Sequence, residues 1–434
     1  MRLRTDRPMR SSTTPAFSVR IFKGGVLSVD YVHNSSLKIG QAVDVNRVGA
    51  ARTLRVDAAA HAIAATTQQF GCGGGASAAA VNCAIAAKAT IYDFARNKLD
   101  SGVTSLAANP ASLVGLTPAT GAAFPGINPN VGVGAFIFPS AKSAYDALQA
   151  LFRAQRNHPA PGLKATNFQV AYSYSRSVSN TDNTNVGDQF FTALAFDNDR
   201  PTQFLGYSGL DRTHVFSFGG SIVPKYGPQI GLIGHIYTAL PLDLTLAHNA
   251  IGTDTAGIFQ SDVTGDGTIG DILPGTNPGD YMRHFNGKTL NTAIGRYNAR
   301  HAGTLTPAGQ ALVNASLLTP SQLSALGGVQ QPIALAPGTG AENAFFRTLD
   351  VNFSYPVRLK RFHEGLSIEP AIAFYNIGNF SNFNSLPVAS GVFDGGGVNG
   401  PSAGLLESQR VQRGSGTSDQ GGPRTTEFQL RLNF

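Results

Sequence analysis

The sequence predicts an all-β chain: a partial antiparallel transmembrane β-barrel of about nine strands, with long extracellular loops that contain short helices. Three observations carry this expectation. Charged residues are 14% of the 434, while Gly numbers 50, Phe 27 and Tyr 12, so turn formers and aromatics abound where charges are few. That balance excludes a disordered chain, and no run of about 20 apolar residues exists to make a membrane helix. Hydrophobicity instead alternates residue by residue, in segments whose connections are short and long by turns.

Taken in order, Phe17, Val19 and Ile21 alternate with Ser18 and Arg20. Lys23-Gly24-Gly25 then makes a short turn into a second alternating run at 26–31, the pattern of a hairpin. From 40 to 143 the alternation is lost, and the stretch reads as a long extracellular loop insertion. Within it, 52–66 and 76–99 are Ala-rich and of helical composition. Tyr145 to Arg153 fits helix by composition and strand by alternation. The unmistakable strand after the turn at 157–162 needs a hairpin partner, which assigns 144–155 as strand. In that following strand Phe168, Val170, Tyr172 and Tyr174 alternate with Gln169, Ala171, Ser173 and Ser175.

A polar loop over 181–210 leads to strands at 214–223 and 230–240 around the turn 224–228. Residues 241–344 read as the next long extracellular loop, with a short helix at 320–326. Leu349, Val351, Phe353 and Tyr355 mark a strand, a basic turn around Lys360 follows, and 366–374 is strand again. In the closing segment Phe428, Leu430, Leu432 and Phe434 alternate with Glu427, Gln429, Arg431 and Asn433. An apolar strand ending on Phe resembles the signal by which bacterial barrels are recognised for membrane insertion, and Phe428, Leu430, Leu432 and Phe434 are assigned to it. Short turns near 24, 158, 226 and 361 alternate with four long connections, the layout of an outer-membrane barrel. The wet faces, with Gln169, Ser173, Gln429 and Arg431, are expected to line its lumen.

Candidate chemistry is sparse. Net charge is +7 with Arg scattered, and no basic run carries interleaved aromatics, so no nucleic-acid partner is expected. Cys72 and Cys83 lack His or acidic neighbours in zinc spacing; they read as a local disulfide of an extracytoplasmic loop, the alternative being two buried free thiols. Asp262, Thr264, Asp266, Thr268 and Asp271 place oxygen ligands at positions one, three and five with Gly267 at six, the opening of a calcium loop. Leu273 stands where the bidentate Glu belongs, and Asp271 is the substitute in a shortened loop. An Asp/Gly turn held by side-chain hydrogen bonds is the alternative.

Asp197, Asp199, Arg200, Asp211, Arg212 and His214 flank one loop, where Arg212 is expected to pair with an aspartate at a strand end, a substrate-contacting role being the alternative. Gly395, Gly397 and Gly400 spell a dinucleotide-type string without the strand-to-helix context it needs. No nucleophile elbow, metalloprotease motif or P-loop occurs, so no enzymatic activity is expected. Met1 to Pro8 leads into no apolar segment. With about nine strands, this predicts the C-terminal part of a larger exported protein.

Several phrases together carry a resemblance: 43–50 (VDVNRVGA), 124–130 (FPGINPN), 170–177 (VAYSYSRS), 210–218 (LDRTHVFSF), 262–267 (DVTGDG), 374–380 (FYNIGNF) and 428–434 (FQLRLNF). Their order and spacing resemble the C-terminal half of TonB-dependent outer-membrane receptors, nearest the Oar-like type with a carboxypeptidase-regulatory-like domain. The resemblance implies outer-membrane location and a barrel of roughly 22 strands around a plug. It also implies nutrient import (siderophore, oligosaccharide or peptide), with long loops capturing an unknown extracellular ligand. Implied partners are outer-membrane lipid, the barrel-assembly machinery and, through an N-terminal part, an energy-coupling complex. Residues 1–434 correspond to no plug domain. The rival expectation is a surface-displayed adhesion or interaction protein without active transport.

Overall fold

A computed structural model describes residues 9–102, 120–180, 195–246, 256–286, 289–335, 345–359, 366–382 and 421–434. The strands are β1 (Met9–Thr13), β2 (Ala16–Phe22), β3 (Gly25–Asp44), β4 (Ala135–Asn157), β5 (Leu163–Ser179) and β6 (Gly206–Tyr207). They continue with β7 (His214–Pro224), β8 (Gln229–Tyr237), β9 (Phe346–Ser354), β10 (Val357–Arg358), β11 (Ser367–Tyr375) and β12 (Thr425–Asn433). All twelve join one antiparallel sheet.

Both β1 and β2 pair with β3, as two halves of one edge strand broken at Thr14–Pro15. Proline has no N–H for a ladder, yet the Pro15 carbonyl still accepts from the Tyr31 N–H at 3.1 Å. With β6 and β10 only two residues each, the sheet is nine strands wide, a strict meander in which each long strand pairs with the next. Among the described residues it is open: its edges, β1–β2 and β12, do not pair with each other. In a nine-strand meander those edges run in the same direction, so an all-antiparallel closure between them requires an odd number of further strands.

Register sorts the side chains onto two unlike faces. Val19, Leu27, Phe152, Val170, Phe218, Gly234 and Leu349 stand in one cross-strand row. Three residues over, Asn167, Ser221, Gly231, Asn352, Ala373 and Glu427 form a row of the opposite face. The second face is the inward one: Ala147, Ser175, Thr348 and Ala373 on it are buried. On the first, the large apolar side chains stay open, with Tyr174 52% and Phe428 79% exposed. Gln169, Ser173, Gln429 and Arg431 all stand on the inward face.

At the long-loop end the apolar band stops at a row of Tyr31, Leu148, Tyr174 and His214, and the next outward row is His33, Asp146 and Arg176. There Asp146 accepts from the Tyr31 hydroxyl and bonds His33 Nδ1, each at 2.7 Å. The band runs nine to eleven residues along β7, β8, β9, β11 and β12, the length a tilted strand needs to span a bilayer.

β3 and β4 run 20 and 23 residues, well past that band. The expected loop boundaries at 40 and 143 therefore fall inside strands, and the loop is 45–134. Two register shifts between Leu37 and Gln41, with Lys38 at φ 59°, break the alternation there while pairing continues. The second long loop, expected over 241–344, spans 238–345, because β8 ends at Tyr237.

The buried apolar core lies in these long loops rather than in the sheet. From the first come α1 (Val56–Gln69), α2 (Ala78–Ala86) and α3 (Ile91–Phe94); from 238–345 come α4 (Leu290–Arg300), α5 (Pro307–Asn314) and α6 (Pro320–Leu326). Ile63, Val81, Ile91, Phe94 and Phe124 pack with Ile258, Phe259, Leu312 and Leu323 in one cluster, so the two loops share a core. Leu244, Tyr281, Leu290, Ile294 and Tyr297 make a second cluster. Cys72 and Cys83 are joined by a disulfide, Cα atoms 5.7 Å apart, tying the end of α1 to α2.

Candidate functional site

The long loops meet at one junction built from three segments distant in sequence: 44–52, 196–199 and 257–271. Asp44 starts it, accepting from the Asn46 and Gly134 N–H groups at 2.9 Å and from the Val48 N–H at 2.8 Å. Asn46 reaches across the loop, its amide donating to the carbonyls of Val131 and Gly132 and its oxygen accepting from the Asn128 N–H at 2.8 Å. Gly49 N–H donates to the Phe124 carbonyl and Ala51 N–H to that of Gly265, both at 3.0 Å. Gly267 has φ 95°, and a Cβ there would lie 2.2 Å from the Val48 carbonyl oxygen, so only glycine fits. The phrases at 43–50, 124–130 and 262–267 thus converge in space.

At its centre Asp262, Asp266 and Asp271 are buried, each with a carboxylate oxygen within 4.8 Å of the other two. Asp262 accepts from the Gly265 N–H at 2.5 Å and the Gly267 N–H at 3.0 Å; Asp271 accepts from the Val263 and Thr264 N–H groups, both at 2.9 Å. The Thr268 hydroxyl donates to Asp266 at 2.6 Å and Asp271 at 2.9 Å, and the Thr264 hydroxyl to Asp266 at 3.0 Å. The Asn198 N–H donates to Asp266, while its side-chain oxygen accepts from the Asp44 N–H at 2.9 Å.

No Lys, Arg or His hydrogen-bonds any of the three carboxylates among the described residues. Burial, then the charges of Asp271 and Asp266, raise the Asp262 pKa well above the carboxylate range. Burial, then Asp266, push Asp271 up to about 7. The carboxylates converge, and their oxygens also hold the turn by hydrogen bonds. An all-oxygen, anionic donor set of this kind fits a hard divalent cation. Leu273, at the twelfth position, is buried in the second apolar cluster and offers no ligand.

No family model matches this sequence, and no curated protein matches it. Among solved structures, the chain is similar to the outer-membrane transporter YddB from Escherichia coli, at TM-score 0.40 and 8% identity. The match covers 98% of this chain and 33% of that one, so the chain spans about a third of that transporter's length.

The remaining candidates sort into separate contacts. Asp199 bridges Arg47 at 2.8 Å and also binds Arg52, whose guanidinium lowers the Asp199 pKa. Asp197 accepts from the Asp199 and Arg200 N–H groups at 2.8 Å and pairs with the Arg200 side chain at 3.2 Å. Arg212 does not take the aspartate expected for it. Its guanidinium donates to the Thr238 carbonyl at 2.7 Å and lies over the Tyr237 ring. Asp211 pairs instead with Arg283, at 2.6 Å, both side chains almost fully buried. Arg283 also donates to the Asp211 and Ala239 carbonyls and so locks the root of the long loops. Sequence reasoning missed Arg283 because 72 residues separate the partners, and no local pattern marks it. His214 is apart from all of these, on the outward face beside Tyr172, with Nδ1 2.8 Å from the hydroxyl. The string at 395–400 lies outside the described residues.

Proposed function

We propose that this chain is a segment of an outer-membrane transport barrel, a C-terminal portion of a TonB-dependent, Oar-like receptor that imports a nutrient. One observation carries the membrane part of this reading: an apolar face, continuous over nine strands, has no protein against it among the described residues, while the opposite face is polar. A water-soluble sheet buries its apolar face; lipid is the solvent in which this arrangement is stable. The family assignment rests on the phrases at 43–50, 124–130, 262–267 and 374–380 in their order. The aromatic C-terminal strand is the feature offered to the barrel-assembly machinery, and coupling to an energised complex belongs to an N-terminal part. The role is conduction and capture rather than catalysis.

The long-loop assembly is the ligand-capturing part in this reading, and its shared helical core and disulfide keep it preorganised. Asp262, Asp266 and Asp271, with the Thr264 and Thr268 hydroxyls beside them, would hold a calcium ion that fixes the junction. A surface-adhesion role uses the same loops; it is separated from transport by whether the polar face conducts a solute.

Nitroxide labels test the membrane reading, because both native cysteines are already bonded to each other. The full chain, reconstituted in lipid vesicles, is labelled at Phe168→Cys on the apolar face and at Gln169→Cys on the polar face. Relaxation by oxygen at 168 and by an aqueous nickel chelate at 169 is expected. Equal aqueous access at both positions overturns the membrane assignment.

A further inference from the structure

The two ends of the sheet differ in charge, and the difference is confined to a recognisable boundary. The short-turn end comprises the described residues 20–26, 153–166, 222–230, 354–359, 366–368 and 431–434. These segments contain Arg20, Lys23, Arg153, Arg156, Lys164, Lys225, Arg358 and Arg431, all exposed, and no Asp or Glu. Among the described residues the nearest acidic side chain is Glu369, the cross-strand neighbour of Arg431 on the inward face. The long-loop end is mixed in charge: Asp44, Asp197, Asp199, Asp211 and the three junction carboxylates stand there beside Arg47, Arg52, Arg200 and Arg283.

Four of the basic groups stand where the apolar band stops. Arg156 occupies the same outward row as Thr166, Ile222 and Ile230, the last row of the band, and Lys164 is two residues beyond Thr166, at a break in the β5–β7 register. Lys23 and Lys225 sit in the adjoining turns. Aromatic rings accompany them: the Arg156 guanidinium lies 4.7 Å from the Phe22 ring centre and Lys225 Nζ 5.5 Å from that of Tyr226. Tyr226 is 80% exposed and Tyr355 49%. Amphipathic rings and long basic side chains at the end of a lipid-facing band are the groups that settle among headgroups.

We propose that this basic rim binds the anionic phospholipid headgroups of the leaflet at the short-turn end. The phosphate-bearing surface of a bilayer is the ligand whose charge and position fit it. The apolar band delivers Arg156 and Lys164 to headgroup depth, and no acidic residue of these segments competes for them. The inference rests on the membrane reading above and adds to it a side and a lipid class.

The test uses the full chain reconstituted in phosphatidylcholine vesicles, with spin-labelled phosphatidylglycerol and spin-labelled phosphatidylcholine as probes of the lipid shell. A preference for phosphatidylglycerol of about fivefold or more at low salt is expected, given the attraction of even one basic group near a charged surface, and it should collapse at high salt. The variant carrying Lys23→Gln, Arg156→Gln, Lys164→Gln and Lys225→Gln is expected to lose the preference. Neutralising the same number of exposed charges at the other end, Lys88→Gln, Arg96→Gln, Arg296→Gln and Arg300→Gln, is expected to keep it. Equal shells for both lipids in an inserted wild-type chain, or a preference that survives in the rim variant, overturns the rim and leaves the membrane reading standing. Failure to insert into the vesicles overturns the membrane reading itself.

Discussion

At the scale of single residues the chain's chemistry is concentrated in buried acids. The raised pKa of Asp271 fixes the sign of a pH effect. A carboxyl at about 7 in the folded chain, against 3.8 when free, gives stability that is full below pH 3.8 and is lost as pH rises through 7. The metal-free chain in detergent is expected to melt at progressively lower temperature from pH 4 to 7, as the buried carboxyls ionise. Millimolar calcium should reverse the loss, and Asp271→Asn should flatten both responses. A melting temperature indifferent to pH and calcium alike would leave the junction an ordinary hydrogen-bonded turn. Arg283 sets a second case, since Arg283→Met leaves Asp211 charged and buried. A loss of about 3–5 kcal/mol in denaturant titration is expected, with partial recovery on adding Asp211→Asn. The clustering of Asp262, Asp266 and Asp271 was legible in the sequence because the three lie within ten residues. The Asp211–Arg283 pair was not, because only the folded sheet brings 211 to 283.

At the scale of elements, the sequence was informative wherever one physical rule acted alone. Alternation decided 144–155 against its helical composition, because β4, paired on both sides, presents one apolar and one more polar face. Thr319-Pro320 before α6 is a readable helix start, with Thr319 accepting from Gln322 N–H and Gln322 reaching back to Thr319 N–H. The same Thr-Pro start at 306–307 announced α5 and went unread, and α4, with Gly295 inside it, carries no such signal. The first helical loop was expected from alanine content alone, which cannot say where helices begin; Ser77, accepting from the Ala80 N–H, sets the start of α2. Closing a segment of eleven residues between Cys72 and Cys83 limits the unfolded loop by roughly 3 kcal/mol. Reduction is therefore expected to expose amides of α1 and α2 to hydrogen exchange while those of β7 and β8 stay protected. Simultaneous loss in helices and strands would show that loops and sheet unfold as one unit.

At the scale of the whole molecule, the fold reverses the usual arrangement, with the apolar core in the loops and apolar side chains displayed on the sheet. The cost of a charge is then set by face and depth rather than by burial within protein. Val170 stands in the middle row of the apolar band, and Gln169 beside it faces inward. Val170→Arg is expected to cost about 2–4 kcal/mol in vesicles, the range for a basic side chain near the bilayer midplane. Gln169→Arg, only one residue away, should change stability by less than about 0.5 kcal/mol, as an exposed polar exchange does. The contrast is measured by denaturant unfolding of chain reconstituted in vesicles. A water-soluble sheet predicts the same small effect at both positions, since among the described residues Val170 is only half-buried and Gln169 is exposed. Only a solvent that differs between the two faces separates them, and lipid on one side with water on the other is such a solvent.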